Sequence, residues 1–240
     1  MSTIKIENYS DFLEKIDYII KGNENNDVFV KAYTKNDKLI MSIDNENSYI
    51  FEFKLEQKNK NYIFYNTYGI IYQFPLNELY QQSIKLNLTE DITFEFTEDL
   101  IIKSNNNNFI HIYCDHIGYN NILCNHDTLN NIYRNRPYAD DYEVILELNT
   151  NGIHNRLFSN PRNISTIKPE NFSISIDSLP LDTEMILYRE FDNGVTIKTK
   201  YLMELFSILP DNDIIMYISG DNSIKVECEL DEYKITFLHK

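Results

Sequence analysis

The strongest constraint on the fold is that one pattern of elements occurs twice. Phe74–Tyr113 and Thr199–Leu238 each read as a short helix, an aspartate leading an apolar strand (Asp91 and Asp213), and a hairpin. A chain that repeats such a unit is expected to fold as two similar α+β halves, each with short helices packed on antiparallel sheets. The residue supply agrees. Hydrophobic residues make up 42% of the 240 positions, and Ile, Leu, Tyr and Phe dominate them, a mixture that favours strands. Only six Gly and six Pro interrupt it.

The first half opens with a helix. Ser10 or Asp11 can cap it, Phe12, Leu13, Ile16, Ile19 and Ile20 fall at helical spacing, and Gly22 ends it. Three apolar runs, Val28–Tyr33, Lys38–Ile43 and Ser48–Leu55, predict a meander between Asn/Asp-rich turns. A strand pair, Tyr62–Tyr65 and Gly69–Phe74, leads to Pro75 in the first turn of a helix through Leu79, Tyr80 and Ile84. Strands Ile92–Phe96, Leu100–Lys103 and Phe109–Tyr113 close this half, predicted as a domain over 1–115.

Residues 116–140 read as an interdomain connector. They carry little periodicity but retain Leu123, Leu129 and Ile132, and a stretch of that length inside a compact protein is usually functional or disordered. The second domain spans 141–240. It begins with strand Glu143–Leu148 and a helix near Asn151–Ser159, followed by strands near Asn171–Asp177, Glu184–Glu190 and Val195–Thr199. Helix Tyr201–Leu209 and strands Ile214–Ser219, Ser223–Leu230 and Tyr233–Leu238 complete it.

The formal charge of −15 argues against a surface that adheres to nucleic acid everywhere, so any DNA contact is expected to be local. No apolar run approaches the roughly 20 residues of a membrane helix. The start Met1-Ser2-Thr3-Ile4-Lys5 has no signal-peptide features, and three cysteines cannot close a disulfide framework; the expectation is a soluble intracellular protein. Heavy use of Asn, Ile, Lys and Tyr suggests an A/T-rich genome such as that of a large DNA virus.

Chemical motifs are sparse. Cys114 with His116 and Cys124 with His126 are two Cys-x-His pairs, and those four side chains are of zinc-binding types. Their spacing departs from the usual Cys-x₂₋₄-Cys pattern, so the reading is no metal. There is no phosphate-binding Gly-x₄-Gly-Lys-Ser/Thr loop, no His-Glu-x₂-His and no Gly-x-Ser-x-Gly. Asp140, Asp141 and Glu143 could imitate a nuclease metal cluster but read better as solvated residues ahead of a strand. The expectation is a protein with no cofactor and no catalysis.

A family resemblance emerges from particular stretches. Ser42-Ile43-Asp44 through Tyr49-Ile50-Phe51-Glu52-Phe53-Lys54-Leu55 resembles a strand, turn and strand of the first domain of proliferating cell nuclear antigen, a DNA sliding clamp. Lys200-Tyr201-Leu202, then Pro210, Ile214–Ser219 and Ser223–Leu230 follow the order of the clamp's final helix and strands, and Asp141-Tyr142-Glu143 resembles the opening of its second half. The resemblance implies a homo-oligomeric ring, a trimer, around double-stranded DNA. DNA polymerase and other clamp-binding proteins would be its partners, with a clamp loader as a possible further one, and it would work in the nucleus or a viral replication compartment.

By the same resemblance Lys15, Lys21, Lys85, Arg156, Arg162, Lys198 and Lys200 would face DNA. Phosphate contacts carry no sequence information, as a mobile ring requires. Ile43, Leu123, Leu129, Ile132, Pro210, Phe237 and Leu238 would line a partner-binding groove, although apolar residues of this kind are as often core. Phe109, Ile110, Ile112 and Tyr113 of one subunit would meet Phe172, Ile174 and Ile176 of the next. The second half is shorter than the family's and is read as lacking a strand. An alternative is therefore a clamp-fold scaffold of viral transcription or regulation that closes no ring.

Overall fold

The computed structural model describes residues 2–6, 8–22, 28–35, 38–44, 47–54, 71–88, 92–106, 108–117, 142–153, 155, 163–170, 173–189, 194–220, 223–231 and 233–239. The chain forms two compact units: Met1–Asn45 with Tyr49–Tyr133 and Leu230–Lys234, and Arg134–Glu229 with Glu46–Ser48 and Ile235–Lys240.

The first unit runs β1 (Ser2–Ile6), α1 (Tyr9–Gly22), β2 (Phe29–Lys35), β3 (Lys38–Asp44), β4 (Ser48–Lys54), β5 (Ile71–Pro75), α2 (Leu76–Lys85), β6 (Ile92–Phe96), β7 (Leu100–Ser104), β8 (Phe109–Ile112) and β9 (Asp115–Ile117). Two strand orders result, β1-β6-β7-β8 and β4-β3-β2-β5-β9. The pairings are antiparallel, with β1 on β6 from Ser2↔Phe96 to Ile6↔Ile92, and β8 on β7 from Phe109↔Lys103 to Ile112↔Leu100.

α1 forms where the periodicity predicts. Its stripe of Phe12, Leu13, Ile16 and Ile19 is buried, and the chain turns into it at Asn8, whose φ of 44° places it in the left-handed region that Asn tolerates. Phe12 is the centre of an aromatic cluster, edge-on to Phe51, Phe53 and Tyr233 at 5.3, 5.2 and 6.2 Å. Tyr9, fully buried, donates from its hydroxyl to Ser83 Oγ at 2.9 Å, and Ser83 in turn donates to the Leu79 carbonyl. That relay fastens α1 to α2. Burial raises the Tyr9 phenol well above its ordinary value.

Pro75 sits one residue earlier than expected, as the N-cap of α2, where its fixed φ suits the entry and its missing N–H removes no helical bond. The helix ends in a Schellman-type closure: Leu88 N–H bonds the Ser83 carbonyl at 3.0 Å, with Asn87 at φ 51° as the left-handed residue.

The second unit runs β10 (Val144–Asn149), β11 (Ile164–Glu170), β12 (Ser173–Ile176), β13 (Leu179–Leu181), β14 (Thr183–Tyr188), β15 (Val195–Lys198), α3 (Thr199–Ile208), β16 (Asp213–Ile218), β17 (Ile224–Glu229) and β18 (Tyr233–His239). The first two residues of β18 fall within the first unit. Its strand orders are β13-β12-β11-β15 and β14-β10-β16-β17-β18. The expectation of a missing strand is corrected, since five strands lie between β10 and α3.

Two of those strands, β11 and β13, contain prolines that mask them in the sequence. Pro169 lies beyond the Ile164–Ile167 stretch that β11 shares with β15, so its missing N–H interrupts no bond on that side. The β12–β13 hairpin turns through Asp177 and Ser178, both at positive φ, the signature of a two-residue turn matched to strand twist. Asp177 holds that turn against β11 by accepting Thr166 N–H and Ser165 Oγ–H, each at 2.8 Å. Gly194 is required by packing: a Cβ there would stand 2.9 Å from the Ile167 carbonyl oxygen. Of the helix predicted over Asn151–Ser159, only its first residues are described; Tyr62–Tyr65 lies outside the described residues.

Candidate nucleic-acid interface and strand edges

The helices place the candidate cations unequally. Lys15 is a correction: its side chain is 8% exposed and its ammonium lies 3.0 Å from Asp11 Oδ1 one turn earlier. It compensates a part-buried carboxylate that also accepts the Tyr233 hydroxyl at 2.6 Å, and so presents no charge to a ligand. Lys21 is exposed in the last turn of α1, paired with Asp17. That hydrogen bond, and then the Asp17 charge, raise the Lys21 ammonium above its ordinary value. Lys85 is exposed in the last turn of α2, where a cation complements the helix dipole.

In the second unit Lys198 and Lys200 are exposed and gather on one ring. Their ammoniums lie 5.3 and 4.9 Å from the centroid of Tyr201, and Lys198 also donates to the Tyr201 hydroxyl at 3.2 Å. Arg156 and Arg162 lie outside the described residues. Among the candidates, Lys21, Lys85, Lys198 and Lys200 therefore remain as exposed cations on or beside the three described helices.

The β8 edge has a sharply divided pair of faces. Ile110 and Ile112 are buried, while Phe109 and Tyr113 are 65% and 72% exposed, with the exposed His111 between them on the same face. β8 ends its sheet, so one side of its backbone meets no other described strand. Asp99, in the β6–β7 turn, fixes this edge: Oδ1 accepts Cys114 N–H at 3.0 Å and Oδ2 lies 2.9 Å from His111 Nε2. The neighbouring Thr97 and Glu98 carbonyls accept Tyr72 Oη–H at 3.0 Å and His116 Nε2–H at 2.5 Å.

The counterpart edge differs from the expected one. Ile174 and Ile176 are core residues, and β12 is already bonded on both sides, to β11 (Ile176↔Ile167) and to β13 (Ile176↔Leu179). It has no edge to offer; Phe172 lies outside the described residues. In the second unit the sheet-ending strands in that region are β13 and β14, and β14 exposes Ile186.

The expected groove residues also divide. Ile43 and Phe237 are buried to within 1% and Leu238 to 9%, which makes them packing residues, whereas Pro210 is exposed. Leu123, Leu129 and Ile132 lie outside the described residues, as do Cys124 and His126. Among the described residues no group of three or more His, Cys, Asp or Glu is placed to hold a metal ion. Burial pushes the Cys114 thiol up to about 12.

Sequence reasoning missed His239 and Asn47, whose side chains meet at 2.7 Å beside Tyr201. Lys198-Thr199-Lys200-Tyr201 is visible as a cation-rich string. That the last strand would return a histidine to it is a tertiary fact no local pattern encodes.

No known protein family and no curated protein matches the sequence. Solved structures do match by shape. One is a chain of the PCNA2–PCNA3 complex from Sulfolobus tokodaii, at a TM-score of 0.64 and 8% identity, over 99% of this chain and 98% of that one. At that identity the likeness is one of fold: the chain has a PCNA-like clamp fold.

Proposed function

We propose that this chain is a subunit of a DNA sliding clamp, a ring that encircles duplex DNA, holds polymerase and other replication or repair proteins to it, and performs no chemistry of its own. The observation that carries the reading is the reciprocal fold likeness, which leaves almost nothing of either chain unmatched. The strand orders support it. β1-β6-β7-β8 has its counterpart in β10-β16-β17-β18, and β4-β3-β2-β5 in β13-β12-β11-β15, as expected of duplicated domains over 1–115 and 141–240 joined by a connector.

Three copies close the ring on this reading, with β8 of one pairing with β13 of the next, the aromatic face of Phe109 and Tyr113 being covered in the process. Lys21, Lys85, Lys198 and Lys200 provide local positive charge in a chain of net charge −15, so that DNA is held loosely and without sequence preference. The connector and the exposed Pro210 belong to the partner-docking region.

Light scattering tests the reading directly. A particle of three 28.5 kDa chains that is retained on closed circular DNA and lost on linearisation is the expected result. A monomer at all concentrations, with no such retention, refutes the ring. It would favour the second reading, a clamp-fold scaffold that closes no ring, for which the occupied edges of β12 are the specific observation.

A further inference from the structure

α3 begins with an arrangement its own dipole opposes. Lys198 is the N-cap, Lys200 the second helical residue, and the first turn contains no acid. Two cations thus stand at the positive end of the helix, where anions are the favoured occupants. Both ammoniums lie over Tyr201, whose ring is almost fully buried, and the His239 ring packs against the same ring at 5.8 Å between centroids. Three basic side chains therefore converge on one aromatic.

His239 is held in a defined tautomer. Its Nδ1 lies 2.7 Å from the Asn47 amide oxygen, an acceptor, so Nδ1 carries hydrogen and Nε2 is the basic nitrogen. The Asn47 oxygen accepts that N–H equally from a neutral and a cationic ring. Protonation at Nε2 therefore leaves that bond in place.

We propose that Lys198, Lys200 and His239, arranged around Tyr201, form a binding site for a phosphate oxyanion, supplied by the backbone of duplex DNA, and that occupancy of the site places a proton on His239. The proposal rests on the clamp reading for the source of the phosphate, not for the site itself. The groups facing His239 among the described residues are Lys198 at the end of β15, Tyr201 on α3 and the neutral amide of Asn47 ahead of β4. Burial, and then the Lys198 charge, hold the imidazole below its ordinary value in the empty site. A dianionic or monoanionic phosphate between the lysines reverses the local field and raises it. Binding then takes up a proton and strengthens as pH falls through the raised value of the bound state, levelling off below the lowered value of the free state.

The experiment follows the His239 ring proton by NMR across pH, with the full chain alone, with a short DNA duplex and with inorganic phosphate. Duplex affinity is measured in parallel for wild type and His239→Gln between about pH 5.5 and about pH 7.5. Glutamine keeps a donor for Asn47, and an unchanged melting temperature confirms the variant's fold. The expected result is an upward shift of the His239 titration with duplex, and a wild-type affinity that falls by up to about tenfold per pH unit beyond any fall in the variant. A shift with inorganic phosphate alone also supports the site and assigns its source as free phosphate. An unmoved titration while duplex binds, or identical pH profiles for wild type and variant, overturns the site and leaves the clamp reading standing. Absence of duplex binding refutes the DNA source, and the phosphate arm then decides the site: a shift supports it, and no shift overturns it; the clamp reading is decided separately, by retention on closed circular DNA.

Discussion

Truncating Phe109 and Tyr113 to alanine should dissolve the proposed ring while sparing the fold. A fully buried aromatic removes about 150–250 Å² from water. With 65% of Phe109 exposed, about 100–160 Å² of it remains to be covered by a neighbouring copy, and Tyr113 at 72% offers a similar area. At about 25 cal/mol/Å² each ring could contribute roughly 2.5–4 kcal/mol to a contact, less for Tyr113 because its hydroxyl must stay hydrated or find a partner. Ordering the side chains and docking the backbone edge offset part of this, so about 3 kcal/mol for the pair is a conservative loss, roughly a hundredfold in Kd per interface. Both side chains are already in water in the isolated chain, so the variant's own stability should change by about 0.5 kcal/mol or less. Concentration-dependent light scattering and a denaturant titration read the two quantities independently. If Phe109→Ala/Tyr113→Ala assembles over the same concentration range as wild type, β8 is not the assembling edge. If the variant is also substantially destabilised, the exposed-face reading of β8 is wrong.

Other consequences follow from particular side chains. Asp11→Ala leaves the Lys15 ammonium buried without its carboxylate and removes the acceptor of the Tyr233 hydroxyl, so urea unfolding should show a loss of about 3 kcal/mol or more, whereas Asp17→Ala, beside the solvated Lys21, should leave the midpoint nearly unmoved. Replacing Lys21, Lys85, Lys198 and Lys200 together by Ala should weaken duplex binding and flatten its dependence on salt, because fewer counterions are displaced; an unchanged salt slope in a binding titration would remove these residues from the DNA-facing set. Cys114, with a thiol pushed up to about 12, stays protonated until strongly alkaline pH; alkylation near pH 8, followed by peptide mass mapping, should run more than about a hundredfold slower than for an ordinary thiol.

What the sequence encoded locally is what could be read from it. The α1 stripe, the Pro75 entry to α2 and the hairpins of the chain's last third announce themselves through periodicity and turn chemistry confined to a dozen residues. β11 and β13 did not, because Pro169 and Pro180 count against strands until the neighbours are known. Pro169 is harmless only because β15 stops short of it, a fact of the sheet and not of the segment. The same distinction governs the candidate site. Lysine at helical spacing identifies a cation near a helix, but exposure depends on what stands opposite, and Asp11 and Tyr233 turn Lys15 inward while Lys85 stays exposed. Ile174 and Ile176 show the pattern of an assembling strand and are instead interior to a sheet. An aromatic stripe on a true edge, as at β8, and an interior apolar strand are indistinguishable until strand order is known. Assembly is thus written in topology. If copies of this chain join edge to edge, selection on β8 acts on Phe109 and Tyr113, residues that contribute little to the isolated fold, and Asp99, by bonding both His111 and Cys114, is the residue that keeps that edge presented.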